Sequence, residues 1–434
     1  MSELNEISLT QHYQEQHQKL LTNLEPDWLK FYRIKAFEAF MAQGIPTTAI
    51  EAWKYTHLRA WHKNKFHKHP THEEQVELYQ LQLFSMLDED CQEVIVIDGD
   101  FQPIAKQNTA LQIMDYKTAL KQHEALLQNY MGQAIQHENH PFASLCDALA
   151  QNGVVIFVPE NTIIEKPIHV LYVSSKNCAN CANHLRNLIV VGKNSSATVI
   201  EHYVDLDDVV YFTNSVTEII LEHNASLSHY KIEQEGNKSF HIGSIHSKQN
   251  QGSHLCSYAV TLCGNFSRHD FNAHLVGENA QCTMNGLYFT HNQQHVDYHT
   301  LVNHDVPQCT SRSLYKGILA DKSTTVFNGK VVVKQGAQKT QAMQGNHNLL
   351  LTSQCEANSK PELEIYTDDV KCTHGATTGQ LDEEALFFLQ ARGIALSKAR
   401  RMLIRAFAND IFNQMSANIV REYCQRYLEM AAYE

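Results

Sequence analysis

The sequence has no surplus of positive charge. Its 35 lysines and arginines stand against 47 aspartates and glutamates, for a formal net charge of −12. That balance argues against a nucleic-acid partner held through a basic surface. No apolar run approaches the length needed to cross a bilayer. The first residues, Met1-Ser2-Glu3-Leu4-Asn5-Glu6, lack a basic segment followed by an apolar one, so the chain reads as cytoplasmic rather than secreted.

Catalytic signatures are missing as well. Asn328-Gly329-Lys330 runs into Val331 within a strand pattern, so it cannot cradle phosphates as Gly-x-x-x-x-Gly-Lys-Ser/Thr does. There is no Gly-x-Ser-x-Gly elbow and no His-Glu-x-x-His. His137-Glu138-Asn139-His140 has the wrong spacing to place both imidazoles on one helix face, and it reads as a loop. No dinucleotide fingerprint follows a strand. The chain is therefore not expected to be a self-sufficient enzyme.

Metal-binding signals are incomplete. Eleven cysteines are scattered and odd in number, which in a reducing compartment means buried free thiols rather than a disulfide framework. Cys178-Ala179-Asn180-Cys181, with His184 close behind, supplies one Cys-x-x-Cys where a structural zinc site needs four ligands. It reads as a polar loop between strands. The 26 histidines run from His12 to His374 without forming a tract, and most read as solvated or half-buried surface.

What is present is a change of period along the chain. Residues 1 to about 80 are helical in pattern, with Leu20, Leu21, Leu24 and Trp28, then Phe31, Ile34, Phe37 and Phe40 at helix spacing. Gly44-Ile45-Pro46 interrupts them. The polar stretch from Lys63 to His72 reads as a solvated loop. Val94 to Ile97 is a short apolar run closed by Asp98-Gly99. A helix around Phe142, Leu145 and Leu149 ends at Asn152-Gly153.

Short strands then dominate for about 200 residues. Examples are Val154 to Val158, Leu188 to Val191, Thr217 to Leu221, Ser257 to Leu262, Val296 to Val302 and Thr325 to Val333. Crossover helices are lacking, which excludes a doubly wound α/β sheet. A sandwich, a barrel and a parallel β-helix remain. An uninterrupted array of this length favours the solenoid, because each coil covers the open face of the last. No strict short repeat is visible.

From Leu381 the pattern turns helical. Asp382-Glu383-Glu384 places acid at a helix start, Gly393 breaks the segment, and Ser397 is the expected N-cap of the next helix. Leu403, Phe407 and Ile411 form its apolar stripe, which must bury against its own domain or a partner. The expected organisation is a helical region over 1–90, a parallel β-helix core over 91–380 and a helical C-terminal region over 381–434.

At the junction, Cys372 and His374 stand two residues apart, so in a strand they share one side. A thiol and an imidazole together suit a soft or borderline metal, or sulfur and iron in transit. Two ligands do not complete an iron–sulfur centre. Taken alone, the pair is equally a buried thiol beside a satisfied histidine.

Several separated motifs resemble the SufB/SufD family of iron–sulfur cluster assembly scaffolds, on its SufD side. They are Gly44-Ile45-Pro46 with Glu51-Ala52-Trp53-Lys54-Tyr55-Thr56, Gly153-Val154-Val155-Ile156-Phe157-Val158-Pro159, and Pro167-Ile168-His169-Val170-Leu171-Tyr172. The most specific stretch is Val326 to Ile394, with Asp369-Val370-Lys371-Cys372-Thr373-His374-Gly375-Ala376-Thr377 and Gln390-Ala391-Arg392-Gly393-Ile394. The likeness covers most of the chain and is weakest over residues 1–40 and 100–140.

The resemblance implies a right-handed parallel β-helix flanked by helical regions, and a non-enzymatic scaffold. It implies a SufB-like paralogue and a SufC-like ABC ATPase as partners, with sulfur arriving indirectly from a cysteine desulfurase. It implies a cluster-assembly interface at His374, with Cys372 beside it, where His374 is a metal ligand shared with the partner chain. It implies ATPase docking on the helical tail, around Arg392, Gly393, Leu403, Phe407 and Ile411. The nascent cluster belongs to the complex, and no cofactor is expected to be tightly bound by the chain alone. A flavin is associated with the family's complex, but no local motif here supports one.

Where SufB carries a Cys-Gly-Ala-His element upstream, this chain reads Leu363-Glu364-Ile365-Tyr366-Thr367-Asp368-Asp369. Gly375, not an acid, follows the histidine. The chain thus lacks most of the SufB ligand set. A monomer and a homodimer both stay open for the isolated chain. Two other readings are a β-helix enzyme acting on polysaccharide, through Asp297, Tyr298 and His299, and a stand-alone metal-binding protein.

Overall fold

The computed structural model describes residues 3–22, 25–67, 76–84, 86, 91–103 and 111–430. Two long sheets, one of ten strands and one of nine, run along the molecule and exchange the chain at every turn. All pairings between the long strands are parallel, as in Phe212–Leu221 beside Phe240–Gln249. The fold is mainly β, a parallel β-solenoid of about eight turns flanked by N- and C-terminal helices.

The repeat that the sequence hides lies in backbone conformation. At one corner of successive coils a residue takes positive φ: Asn161, Asn194, Asn224, Gly252, Asn279, Gln308, Lys339 and Asp369. Asparagine, aspartate and glycine tolerate this left-handed geometry best. Three of the asparagines also stack, since Asn194 donates to Asn161 at 3.1 Å and Asn224 to Asn194 at 3.2 Å.

The facing inner sides form the main core, from Val94 and Val170 through Ile219, Leu255, Phe271 and Val302 to Val331 and Ala342. Both outer faces are covered too, so Phe212–Leu221 is buried at every position. Strands buried on both faces do not alternate in hydropathy. On the nine-stranded sheet Phe212, Phe240 and Phe266 pack with Phe40, Trp53 and Trp61 of the N-terminal region. On the ten-stranded sheet Tyr230, Val260 and Ile318 pack with Ile404, Ile411 and Phe412.

The helices Glu3–Leu21 and Asp27–Gln43 fall in the stretch read as helical, but they part within the set Leu20 to Trp28, and the only helical pieces of residues 44–67 are the 3-10 turns Glu51–Trp53 and Trp61–Lys63. Part of the polar loop expectation, residues 68–72, falls outside the described residues. The part that is described is not simply solvated, since Phe66 is buried and His67 bridges to Cys181. Gly153 is required by close approach: with φ +148° its Cβ would meet the Arg186 carbonyl oxygen at 2.0 Å.

Four differences from the sequence reading share one cause, polar residues inside elements. The strand read as Leu188 to Val191 is Ala182–Val191, and Thr217 to Leu221 is Phe212–Leu221. Phe266–Leu275 and Glu356–Ile365, both polar, carry no strand pattern yet are full strands. Most described histidines are half-buried or exposed, as expected, but His17, His169, His202, His229, His241, His246, His269 and His304 are buried. Ser397 is not an N-cap: the helix Leu396–Phe412 starts two residues earlier than that cap would place it, with Ala395 at the cap and no side-chain capping bond. Asp382 does cap the helix Glu383–Gln390, accepting from the Glu384 and Ala385 N–H groups.

Candidate functional site

The two ends of the solenoid differ. At the N-terminal end the sheets finish in antiparallel strands, Asp100–Phe101 on one and Gln112–Asp115 on the other. At the C-terminal end both finish in bare ten-residue edges, Glu356–Ile365 and Lys371–Gln380. In Lys371–Gln380 every residue but Cys372 is exposed. A long exposed edge carries unpaired backbone groups and is a ready template for another chain.

His374 sits on this edge. Cys372 packs on the inner core, and its ladder partner Ala342 belongs to that core. Alternation puts His374 on the same inner side, at the open mouth of the lumen. Burial pushes the Cys372 thiol above its ordinary pKa, against a hydrogen bond from the Ala342 backbone.

Directly beneath His374 in the ladder lies Gln344. Its amide spans the lumen to Gly329 on the opposite sheet, where a Cβ would fall 1.9 Å from Nε2. The glycine of Asn328-Gly329-Lys330 thus serves this side chain. Gln344 is 6% exposed, yet neither of its amide atoms has a hydrogen-bond partner among the described residues. Ser359 Oγ, on the facing edge strand, is likewise unpartnered. Buried polar groups left in this state are costly. Gln344 was missed in the sequence because a strand glutamine carries no signal until the fold stacks it under His374.

The helical tail divides its apolar residues. Ile411 is fully buried against the ten-stranded sheet. It is therefore unavailable to an ATPase, which corrects its placement among docking residues. The physical reason is helix phase, because Ile404, Ala408, Ile411 and Phe412 make up the inward face. Phe407 is half-buried beneath the Lys316 ammonium, 4.1 Å from its ring centre, and Leu403 is half-buried. Arg392 lies over the Phe388 ring at 3.4 Å, and Gly393 takes φ +81° in the turn that follows. Phe387 and Phe388, passed over in the sequence, are 73% and 54% exposed.

Other sequence candidates resolve into structure. The Cys178 thiol donates to Asp98 Oδ1 at 2.9 Å, and His184 pairs with Asn214. Among the described residues they join no group of three or more metal ligands. Asp297 is buried beside Arg268, 2.6 Å away, while Tyr298 turns into the core. His299, on the same face as Asp297, pairs with it at 2.9 Å. Seven of the eleven cysteines are buried. Among the described residues, no helix is long and apolar enough to cross a membrane.

The solenoid thus ends in an exposed edge that carries a thiol and, two residues on, an imidazole. Residues 172–407 match the SufBD core domain of the SUF system for FeS cluster assembly, and residues 3–170 match the SufBD N-terminal region. The iron-sulfur cluster assembly protein SufD of Escherichia coli is 32% identical over 86% of each chain. A SufBD family protein of Synechocystis is 32% identical over 74% of each. SufD of Bacillus subtilis is 25% identical over 96% of this chain and 95% of its own. The chain belongs to the SufBD family of iron–sulfur cluster assembly proteins.

Proposed function

We propose that this chain is a SufD-like scaffold subunit rather than an enzyme, working in the cytoplasm. Its open solenoid end pairs with the corresponding end of a SufB-like paralogue. His374, with Cys372 beside it, then faces the joint, where the partner supplies the remaining ligands to a nascent iron–sulfur cluster. The cluster is cargo, and its sulfur comes indirectly from a cysteine desulfurase system. A SufC-like ABC ATPase docks on the helical tail, over Arg392, Gly393, Leu403 and Phe407, extended by the exposed Phe387 and Phe388.

The observation that carries this reading is the bare Lys371–Gln380 edge above an unsatisfied Gln344 amide. A partner's strands would satisfy both. The test is His374→Ala in the co-purified complex. Folding and assembly should stay intact while cluster formation falls. Normal cluster formation in that variant would remove His374 from the site. Recovery of the tagged chain without any paralogue, from an extract that preserves other complexes, would remove the scaffold reading itself.

A further inference from the structure

Midway along the solenoid the lumen is charged. Lys231 and Glu233 turn inward from the ten-stranded sheet, and His241 and His269 face them from adjacent strands of the other sheet. All four are buried. Glu233 Oε1 lies 2.9 Å from His241 Nε2 and 2.8 Å from His269 Nε2. Even so, no donor meets that oxygen in hydrogen-bond geometry among the described residues. The other carboxylate oxygen is satisfied, accepting from Ser267 Oγ at 2.5 Å.

His241 is held as a metal-ligating histidine is held. Its Nδ1 lies 2.6 Å from Glu235 Oε2, and Glu235 Oε1 accepts from Thr213 at 2.9 Å. An imidazole that donates Nδ1–H to a carboxylate presents a lone pair at Nε2. Glu233, Glu235 and His241 bring ligand atoms within 4.8 Å of one another, and His269 Nε2 adjoins this group through its 2.8 Å contact with Glu233 Oε1. We propose that the lumen binds a borderline divalent cation of the Fe(II) or Zn(II) class, through Glu233 Oε1, His241 Nε2 and His269 Nε2, with Glu235 orienting His241. Two imidazoles and a carboxylate, without thiolate, suit that class.

Lys231 is the competitor for this position. Its ammonium lies 2.9 Å from His241 Nε2 and 3.6 Å from Glu233 Oε1. Gly243 leaves it room, since a Cβ there would fall 2.2 Å from Nζ. The ammonium also lies over the Tyr203 ring, 4.9 Å from its centre, and metal binding would displace it from Glu233 and His241. Two cavities lie on the N-terminal side of the site. There a cavity of 560 Å³, lined by His12, His67 and Asp98, shares Gly99, Asn183 and Leu185 with a small void walled by Tyr203, Thr213 and Glu235.

The site is separate from the mouth at His374 and does not depend on the partners proposed above. The test is equilibrium dialysis of Co(II) against the purified full chain without oxygen, read with visible absorption. Stoichiometric binding with nitrogen and oxygen ligand-field bands and no thiolate charge transfer is expected. It should persist in a Cys372→Ala/His374→Ala double variant. Glu235→Gln should weaken it about 10- to 100-fold, and Glu233→Gln and His241→Asn should each weaken it further. Lys231→Met should tighten it, which keeps the proposal testable if a ligand variant fails to fold. Binding in neither the wild-type chain nor Lys231→Met overturns the site. Binding that disappears with Cys372 and His374 but survives His241→Asn overturns it as well.

Discussion

Arg268 anchors the N-terminal region. Its guanidinium lies 3.8 Å over the Trp53 ring and donates to the Ala52 carbonyl at 2.8 Å and to Asp297 Oδ2 at 2.6 Å. Thr56 donates to the same Asp297 oxygen at 2.6 Å. The stretch Glu51 to Thr56, singled out in the sequence by resemblance, is therefore a clamp onto the solenoid. Arg268→Met takes the guanidinium from buried Asp297, leaving it Thr56 and His299, and breaking such a buried ion pair costs about 3–5 kcal/mol. A lower urea midpoint and earlier proteolytic release of the N-terminal region are the expected signs. Histidines set a pH limit at the same scale. Burial lowers His304 from 6.5 to about 4 against the opposing charge of Asp305, and burial brings His184 and His295 to about 4 too. Stability is whole above pH 6.5 and is lost as pH falls toward 4, because the unfolded chain takes up protons the folded one refuses. The full loss is on the order of 3 kcal/mol per histidine. Urea midpoints that stay level from about pH 7.5 to about pH 5 would contradict this.

The elements that matter most are the last strand and the helices that follow it. Lys371 donates its N–H to the Thr340 carbonyl, so the alternate residues Cys372, His374, Ala376 and Thr378 direct their backbone groups to the free edge. Proline is tolerated on an edge where its missing N–H would face outward. Ala376→Pro should therefore leave the chain folded, with a thermal midpoint close to wild type, while weakening capture of a paralogue through this edge. Unchanged capture would place the interface elsewhere. The two helices Glu383–Gln390 and Leu396–Phe412 carry an exposed and a buried apolar residue that predict opposite behaviour. Ile411→Ala empties a buried site and should cost about 2–5 kcal/mol. Phe388→Ala should leave stability almost unchanged and weaken ATPase binding, measured by co-purification.

The whole molecule is a stack of coils that each depend on their neighbours, so stability is expected to fall toward the uncapped end. Hydrogen exchange in the isolated chain should be fastest in Lys371–Gln380 and should slow there when the partner binds. Uniform protection along the solenoid would contradict an open end. Strand content, the absence of crossover helices and the helical flanks were all legible, because long apolar β-branched runs such as Ile189-Val190-Val191 and Val331-Val332-Val333 declare their period locally. The pair Cys372 and His374 was legible for the same reason, being two residues apart on one strand. Phe266–Leu275, the seating of Gln344 under His374 and the convergence of Glu233 with His241 and His269 were not. Each joins residues from different coils, and no local pattern reports a contact that exists only once the coils are stacked. Period and composition act over a few neighbouring residues and so committed this chain to strands. The lumen, its charges and its open mouth arise from contacts between distant residues, and only the completed solenoid brings those together.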